Sequence, residues 1–313
     1  MPTPTLELAD YRAAIALDDP FRTTTGPTVP AQPAHLVRAA LSLLSNDPAT
    51  TTTAAGLGAG DVDRLDDATA RRLLRAVLTV RRPGPLPADV SQVLDALLSS
   101  ERAAKIVTDP GRLPCIAEEF PGTAYPAADR TVLWQGDITT LGTDAIVNAA
   151  NSAMLGCFVP RHPCIDNAIH SAAGPRLRDD CHTVMTRQGH PEPTGTAKIT
   201  RGYHLPTRYV LHTVGPIVDG PLHTTHERLL AASYRACLDL AADVADIRTV
   251  AFCSISTGVF GYPKQPAARI ALDTVADWLD ARPGHLDRVI FNVFASDDRT
   301  AYLDALTEGS TIR

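Results

Sequence analysis

The apolar pattern changes period near Thr131, and this change limits what the chain can fold into more than any other feature. Upstream, the spacing is helical: AHLVRAALSLLS, ATARRLLRAVLTV and ADVSQVLDALLSSERAAKIV each bring apolar residues back three and four positions apart. Arg82-Pro83 and the following GPLPAD close one helix and open the next, with Pro87 near the new N-terminus. Between the first two helices lies NDPATTTTAAGLGAGD, a low-complexity stretch that reads as a mobile loop. Downstream, TVLWQG, DAIVNAA, TAKIT, YVLHTV, RTVAFCSI and DRVIFNVF read as strands. They alternate with helical runs at IDNAIHSAAG, RLRDDCHTVMTRQ, TTHERLLAASYRACLDLAADV, QPAARIALDTVADWLDARP and RTAYLDALTE. The alternation predicts a three-layer α/β/α domain with a mixed central sheet over residues 130–313. A small helical appendage is expected over 31–129 and a poorly ordered segment over 1–30.

Bulk properties narrow the function classes. A chain of 313 residues has room for two folding units. Its net charge of −6 argues against a nucleic-acid binder, which usually presents a basic face. No apolar run approaches the roughly 18 residues of a membrane span. The N-terminus MPTPTLELADYRAA lacks the basic and then apolar pattern of a secretory leader. The six cysteines are therefore read as reduced thiols of a cytoplasmic protein. Cys253, within TVAFCSIS, and Cys237, in a helical run, read as small core residues.

Chemistry-bearing residues cluster just after strands, where α/β sheets bind ligands. Gly136-Asp137-Ile138-Thr139 follows the first strand; Asp137 can accept from an exocyclic amine or simply cap a turn. Asn148-Ala149-Ala150-Asn151-Ser152 follows the second; its amides suit diol recognition or an Asn-rich turn. Ser256-Thr257-Gly258-Val259-Phe260 lies after TVAFC, and such a turn can offer backbone N–H groups to a diphosphate or be an ordinary strand-to-helix connection. Phe294 ends the last strand and can stack on an aromatic base or join the core.

The sharpest local signal is Cys157-Phe158-Val159-Pro160-Arg161-His162-Pro163-Cys164. Two thiols and an imidazole on a Pro-broken segment favour zinc, although two buried cysteines and a loop histidine would leave the same trace. The spacing is too short for a zinc finger. Three ligands leave an open position, as in catalytic sites, unless Cys181 or His182 folds back as a fourth. Asp166 follows at a helix N-terminus, where a carboxylate can cap the helix or deprotonate a water. His170, one turn later, reads as a packing or hydrogen-bonding residue.

In this order the segments Gly136–Thr139, Val147–Ser152, Met154–Asp166, Val214–Pro216 and Ser256–Phe260 resemble the macrodomain family. The run through Cys164 resembles most its microbial branch of zinc-dependent protein-ADP-ribose hydrolases. The N-terminal run R-R-P-x-P-L-P resembles the helical appendage of that branch. The resemblance implies that Asp137 and Ile138 hold adenine, with Phe294 stacking beside it. It implies that Asn151, together with Asn148, faces the distal ribose and that Ser256, Thr257, Gly258, Val259 and Phe260 cradle the diphosphate. Cys157, His162 and Cys164 would bind Zn2+, and Asp166 and Asn151 would be catalytic. The glycine-rich loop of the non-zinc hydrolases is replaced here by the Cys/His segment.

The expected activity is removal of mono-ADP-ribose from acidic side chains, reversing a sirtuin-like transferase. The substrate would be a mono-ADP-ribosylated protein such as a lipoyl-carrier protein, and the enzyme a monomer. A non-catalytic ADP-ribose reader with a structural zinc, and an O-acetyl-ADP-ribose deacetylase, are the alternatives.

Overall fold

The six strand-like runs form a single sheet in a computed structural model that describes residues 5–24, 32–50 and 62–308. The strands are β1 (Thr131–Gln135), β2 (Ala145–Ala149), β3 (Ala197–Arg201), β4 (Tyr209–Thr213), β5 (Thr249–Phe252) and β6 (Arg288–Val293). Their spatial order is β1-β6-β5-β2-β4-β3. All pairs are parallel except β3–β4, which makes the sheet mixed as expected. β4 is buried along its whole length and β2 along all but its last residue. Their near-continuous apolar sequences fit strands covered on both faces.

Ten α-helices accompany the sheet among the described residues, besides a helical turn at 48–50 and three short 3-10 turns. Short α1 (Leu8–Tyr11) precedes the appendage helices α2 (Pro33–Leu44), α3 (Asp67–Val80) and α4 (Ala88–Ala104), and α5 (Ile116–Glu119) leads into β1. The rest are α6 (Ile165–Ala173), α7 (Pro175–Gln188), α8 (Thr224–Ala242), α9 (Lys264–Ala281) and α10 (Ser296–Glu308). Helices α6 and α7 pack on β2 and β3. Helices α8, α9 and α10 form a second layer that reaches from β3 and β4 to β1 and β6. No helix among the described residues is long and apolar enough to cross a membrane.

The appendage has its own small core of Val37, Leu41, Leu44, Leu74, Val77, Leu94 and Leu97. The side chain of Asp66 caps α3 by accepting from Thr69 N–H at 2.9 Å, a contact typically worth about 1 kcal/mol. Most of the Thr/Ala/Gly stretch, residues 51–61, lies outside the described residues.

Two boundaries differ from the sequence reading. Residues 5–24 were expected to be poorly ordered, yet Tyr11, Ile15 and Leu17 are buried in the core of the α/β domain. The Tyr11 hydroxyl accepts from the amide of Ile199 at 3.0 Å, which ties this segment to edge strand β3. The apolar residues there are too few to show a period, so sequence alone did not reveal the segment. The α/β domain also begins before Arg130, because Ile116, Ala127 and Ala128 share its core and Thr108 bridges Leu141. The helical unit proper ends at Ala104.

Strands β1, β6, β5 and β2 are parallel neighbours, so their carboxyl ends open on one edge. Asp137, Phe294, Ser254 and Asn151 follow those ends. The chain runs from β2 to β3, on the β4 side, but from β5 to β6 on the opposite side, so the connections of adjacent β2 and β5 diverge there. Such a switch point is where open α/β sheets form a ligand crevice.

Candidate active site

A cleft opens at this point, lined by Asn151, the Cys157–Cys164 loop, Asp166, Ser256–Phe260 and Phe294. The turn after β2 is built by Asn151 itself. Its Oδ1 accepts from Ala153 N–H at 3.0 Å and its Nδ2 donates to the Gly156 carbonyl at 3.2 Å. Gly156 has φ 83°, and an added Cβ would lie 3.0 Å from the His170 ring. Glycine therefore lets the loop lie directly on that buried histidine, which gives His170 the packing role expected of it. Met154 (φ 58°) and Arg161 (φ 64°) are also left-handed, an uncommon state for side-chain-bearing residues.

This loop gathers the predicted ligands. The donor atoms of Cys157, His162 and Cys164 all lie within 4.8 Å of one another. Cys157 Sγ is 3.5 Å from His162 Nδ1, and Cys164 Sγ accepts from the Asn167 amide at 3.4 Å at the start of α6. Burial, followed by the nearness of Cys157 and Asp166, pushes the Cys164 thiol up to about 11 despite that amide. A bound cation would reverse this preference, because metals are bound by thiolate. Two sulfurs and an imidazole at this separation fit zinc. Neither Cys181 nor His182 joins the group. Cys181 lies instead in a buried cluster with His170 and His212.

Asp166 is 5% exposed at the floor of the cleft. Burial raises its carboxyl to about 6, against the opposing effects of Asn148 and Arg178. Asn148 is fully buried, and its Nδ2 donates to Asp166 Oδ1 at 2.8 Å. The same nitrogen lies 3.1 Å from His212 Nδ1, and His212 Nε2 lies 2.9 Å from Thr200 Oγ1. His170 Nε2 is 3.4 Å from Asp166 but too bent for a hydrogen bond; burial holds this imidazole neutral, so the pair is no salt bridge.

The loop after β5 has a second unusual backbone. Ser256 is left-handed (φ 65°), and its buried Oγ has no hydrogen-bond partner. A Cβ on Gly215 would overlap that oxygen, so glycine is needed in the Val214–Pro216 segment. The loop closes through Gly261 N–H to Gly258 C=O and Tyr262 N–H to Ser256 C=O, both 3.0 Å. The amides of Gly258, Val259 and Phe260 take no part in those bonds. At the mouth, Val259 is 72% and Phe294 77% exposed, apolar side chains presented beside the cleft rather than in the core.

A Macro domain model matches residues 147–271. The chain is 45% identical over 237 residues to a protein-ADP-ribose hydrolase of Treponema medium, covering 76% of this chain and 87% of that one. It is 44% identical to a protein-ADP-ribose hydrolase of Staphylococcus aureus, covering 74% of this chain and 83% of the other. The chain belongs to the macrodomain family. Among solved structures it resembles an Oceanobacillus iheyensis macrodomain mutant with ADPR, at TM-score 0.52 and 38% identity, over 57% of this chain and 94% of that one.

Within this macrodomain three of the expected site residues do not line the cleft. Asn148 lies beneath it and holds Asp166. Ile138 is buried under the turn after β1. Asp137 is exposed and caps its own turn, accepting from Thr139 N–H at 2.9 Å and Thr139 Oγ1 at 2.7 Å; it borders a neighbouring groove. Sequence reasoning missed Arg178, which is 5% exposed. Its Nε donates to the Leu155 carbonyl at 2.7 Å and its Nη1 to those of Arg81 (2.6 Å) and Leu78 (3.1 Å), and its guanidinium lies 4.4 Å from the Phe158 ring centre. It thereby joins the Cys157–Cys164 loop to the appendage. A charged residue in the polar run RLRDDC offers no sequence signal for that role.

Proposed function

We propose that this protein hydrolyses the ester between an acidic side chain and the distal ribose of protein-bound mono-ADP-ribose. The observation that carries the reading is Asp166: a buried carboxylate, held by Asn148, on the helical turn that directly follows a Cys/His/Cys cluster in an open cleft. A reader module has no need to desolvate a carboxylate there. The names of the Treponema and Staphylococcus relatives support the same activity.

In this reading Cys157, His162 and Cys164 hold zinc, which when bound supplies a Lewis acid beside the distal ribose. Asn148 fixes one oxygen of Asp166, and the carboxylate takes the proton of the attacking water. Asn151 faces the distal ribose. The Ser256–Phe260 amides and the unpartnered Ser256 hydroxyl receive the diphosphate and Phe294 stacks on adenine, whose amine meets the Asp137 carboxylate oxygen that does not cap its own turn, with the Ile138 backbone alongside. Those remote contacts supply the binding energy that positions the scissile bond. The substrate is a protein marked by a sirtuin-like transferase, with a lipoyl-carrier protein as the candidate. The enzyme works as a cytoplasmic monomer.

The test is a Cys157→Ala/Cys164→Ala double variant. It is expected to lose bound zinc and the release of ADP-ribose from carboxylate-modified protein, while calorimetry shows ADP-ribose affinity within a few-fold of wild type. Undiminished release by zinc-free protein would make the metal structural. An absence of release by zinc-loaded wild type would leave a reader.

A further inference from the structure

A second groove runs between the appendage and α6. Arg71, Arg72 and Arg75 of α3 and Arg102 and Lys105 at the end of α4 line it, against only two carboxylates, Glu101 and Asp137. Arg71 is taken up by a bidentate pair with Glu101, at 2.5 and 2.8 Å. Arg72, Arg75, Arg102 and Lys105 are all exposed. The whole chain carries net charge −6, so this basic strip runs against the average of the molecule.

The strip leads to the chemistry. Arg71, Arg75 and Ser171 line both the groove and a small cavity beyond it, and Cys157 closes that cavity. Cys157 also lines the cleft. Arg75 Nη2 donates to Asn167 Oδ1 at 3.3 Å, and Asn167 Nδ2 donates to the Val159 carbonyl at 3.1 Å. Groove and cleft therefore meet at the metal-ligand loop, where the proposed reading puts the distal ribose and hence the modified side chain.

We infer that this groove docks an acidic segment of the protein that carries the ADP-ribose. The inference rests on the proposed hydrolase reading for what is bound, and on the groove alone for the charge of the partner. Exposed cations add little affinity singly, but a cluster steers an oppositely charged partner in a salt-dependent way. In the proposed reading the free nucleotide meets Asp137 at the edge of this groove but none of its basic residues, so those bear on the protein part of the substrate only.

The test reverses three charges, Arg72→Glu, Arg102→Glu and Lys105→Glu, in the full chain. On an acidic mono-ADP-ribosylated protein, KM is expected to rise about tenfold or more with kcat at saturation unchanged, as three weak pairs together would give. The wild-type KM should rise with salt and the variant's should not. ADP-ribose affinity by calorimetry should stay the same, which also verifies the fold; Lys105→Glu alone, at a helix end, serves if the triple variant does not fold. An unmodified, fluorescent Asp/Glu-rich peptide should bind wild type about tenfold more tightly than the variant. Equal KM values or equal peptide binding would overturn the inference. Tighter binding of an oligothymidylate than of the acidic peptide would replace the protein partner by nucleic acid. If wild type releases no ADP-ribose from any protein, the hydrolase reading fails, while the peptide titration still decides the groove.

Discussion

Within the macrodomain, Val147, Leu211, Ala251 and Ile290 are wholly excluded from solvent in one apolar core. Where the appendage meets that domain, the buried groups are charged. Asp95 of α4 is 1% exposed and accepts from His204 Nε2 at 3.0 Å, Arg176 Nη2 at 3.0 Å and the Thr24 amide at 2.7 Å. Arg178 caps carbonyls from both units, and the Gly84 amide donates to Asp179 at 2.9 Å. Apolar packing is non-directional and tolerates volume-conserving exchange. A buried charged junction is directional, and removal of one partner strands the other. The appendage is thus joined to the macrodomain by contacts that set a geometry, and that geometry shapes the basic groove and props the Cys157–Cys164 loop.

The largest expected effect falls on the macrodomain side and should leave the junction untouched. Asp166→Ala is expected to lower single-turnover release of ADP-ribose by about 10²–10⁴-fold, the range of a general base, with free ADP-ribose affinity within a few-fold. Loss of affinity in parallel with rate would place Asp166 in ligand binding instead.

The junction comes next. Asp95→Asn should cost about 2–3 kcal/mol in urea unfolding, because it removes the buried charge that His204, the Thr24 amide and the partly exposed Arg176 hydrogen-bond. Burial alone would raise the Asp95 carboxyl, but His204, Arg176 and the Thr24 amide outweigh it and hold the carboxyl well below the usual range. Its contribution is therefore complete above the unfolded carboxyl value of about 3.9 and declines as pH falls toward the folded value. The gap between wild type and variant should be constant near neutrality and narrow in acid. A gap that widens below about pH 4 would show that Asp95 is not the group holding the two units.

The smallest effect tests the loop between them. Gly156→Ala places a methyl against His170 in a left-handed position, at a cost of about 1–2 kcal/mol. The measurable outcome is weaker zinc retention by the adjacent Cys157 under chelator competition. Retention equal to wild type would mean that the loop is set by Arg178 and the prolines rather than by its seat on His170.

A chain starting near Arg130 sharpens the same comparison. From sequence it would retain every ligand motif. The structure shows that it would also lose Tyr11, Ile15, Leu17 and Ile116 from the macrodomain core. Such a chain is expected to be soluble only in part and to unfold at a lower temperature, as light-scattering and thermal melts would report.

What was legible in the sequence was whatever is periodic or contiguous. Six strands, the three appendage helices and the helices flanking the sheet follow from spacings of two and of three to four, because backbone geometry maps those spacings directly onto one face. The cluster of Cys157, His162 and Cys164 was legible because all three lie on one short loop, and the segments after β1, β2, β5 and β6 because parallel strands deliver their ends to one edge. Tertiary structure alone decided the rest. It buried Asn148 under Asp166, kept Asp137 on its own turn, drew residues 5–24 into a core far away in sequence, and used Arg178 and Asp95 to lock the appendage in place. Apart from Asp137, whose partner Thr139 is two residues away, those roles depend on distant partners, 18 residues off for Asn148 to Asp166 and 188 for Tyr11 to Ile199. A single polar residue has no period, and its worth is set by whichever buried group it satisfies.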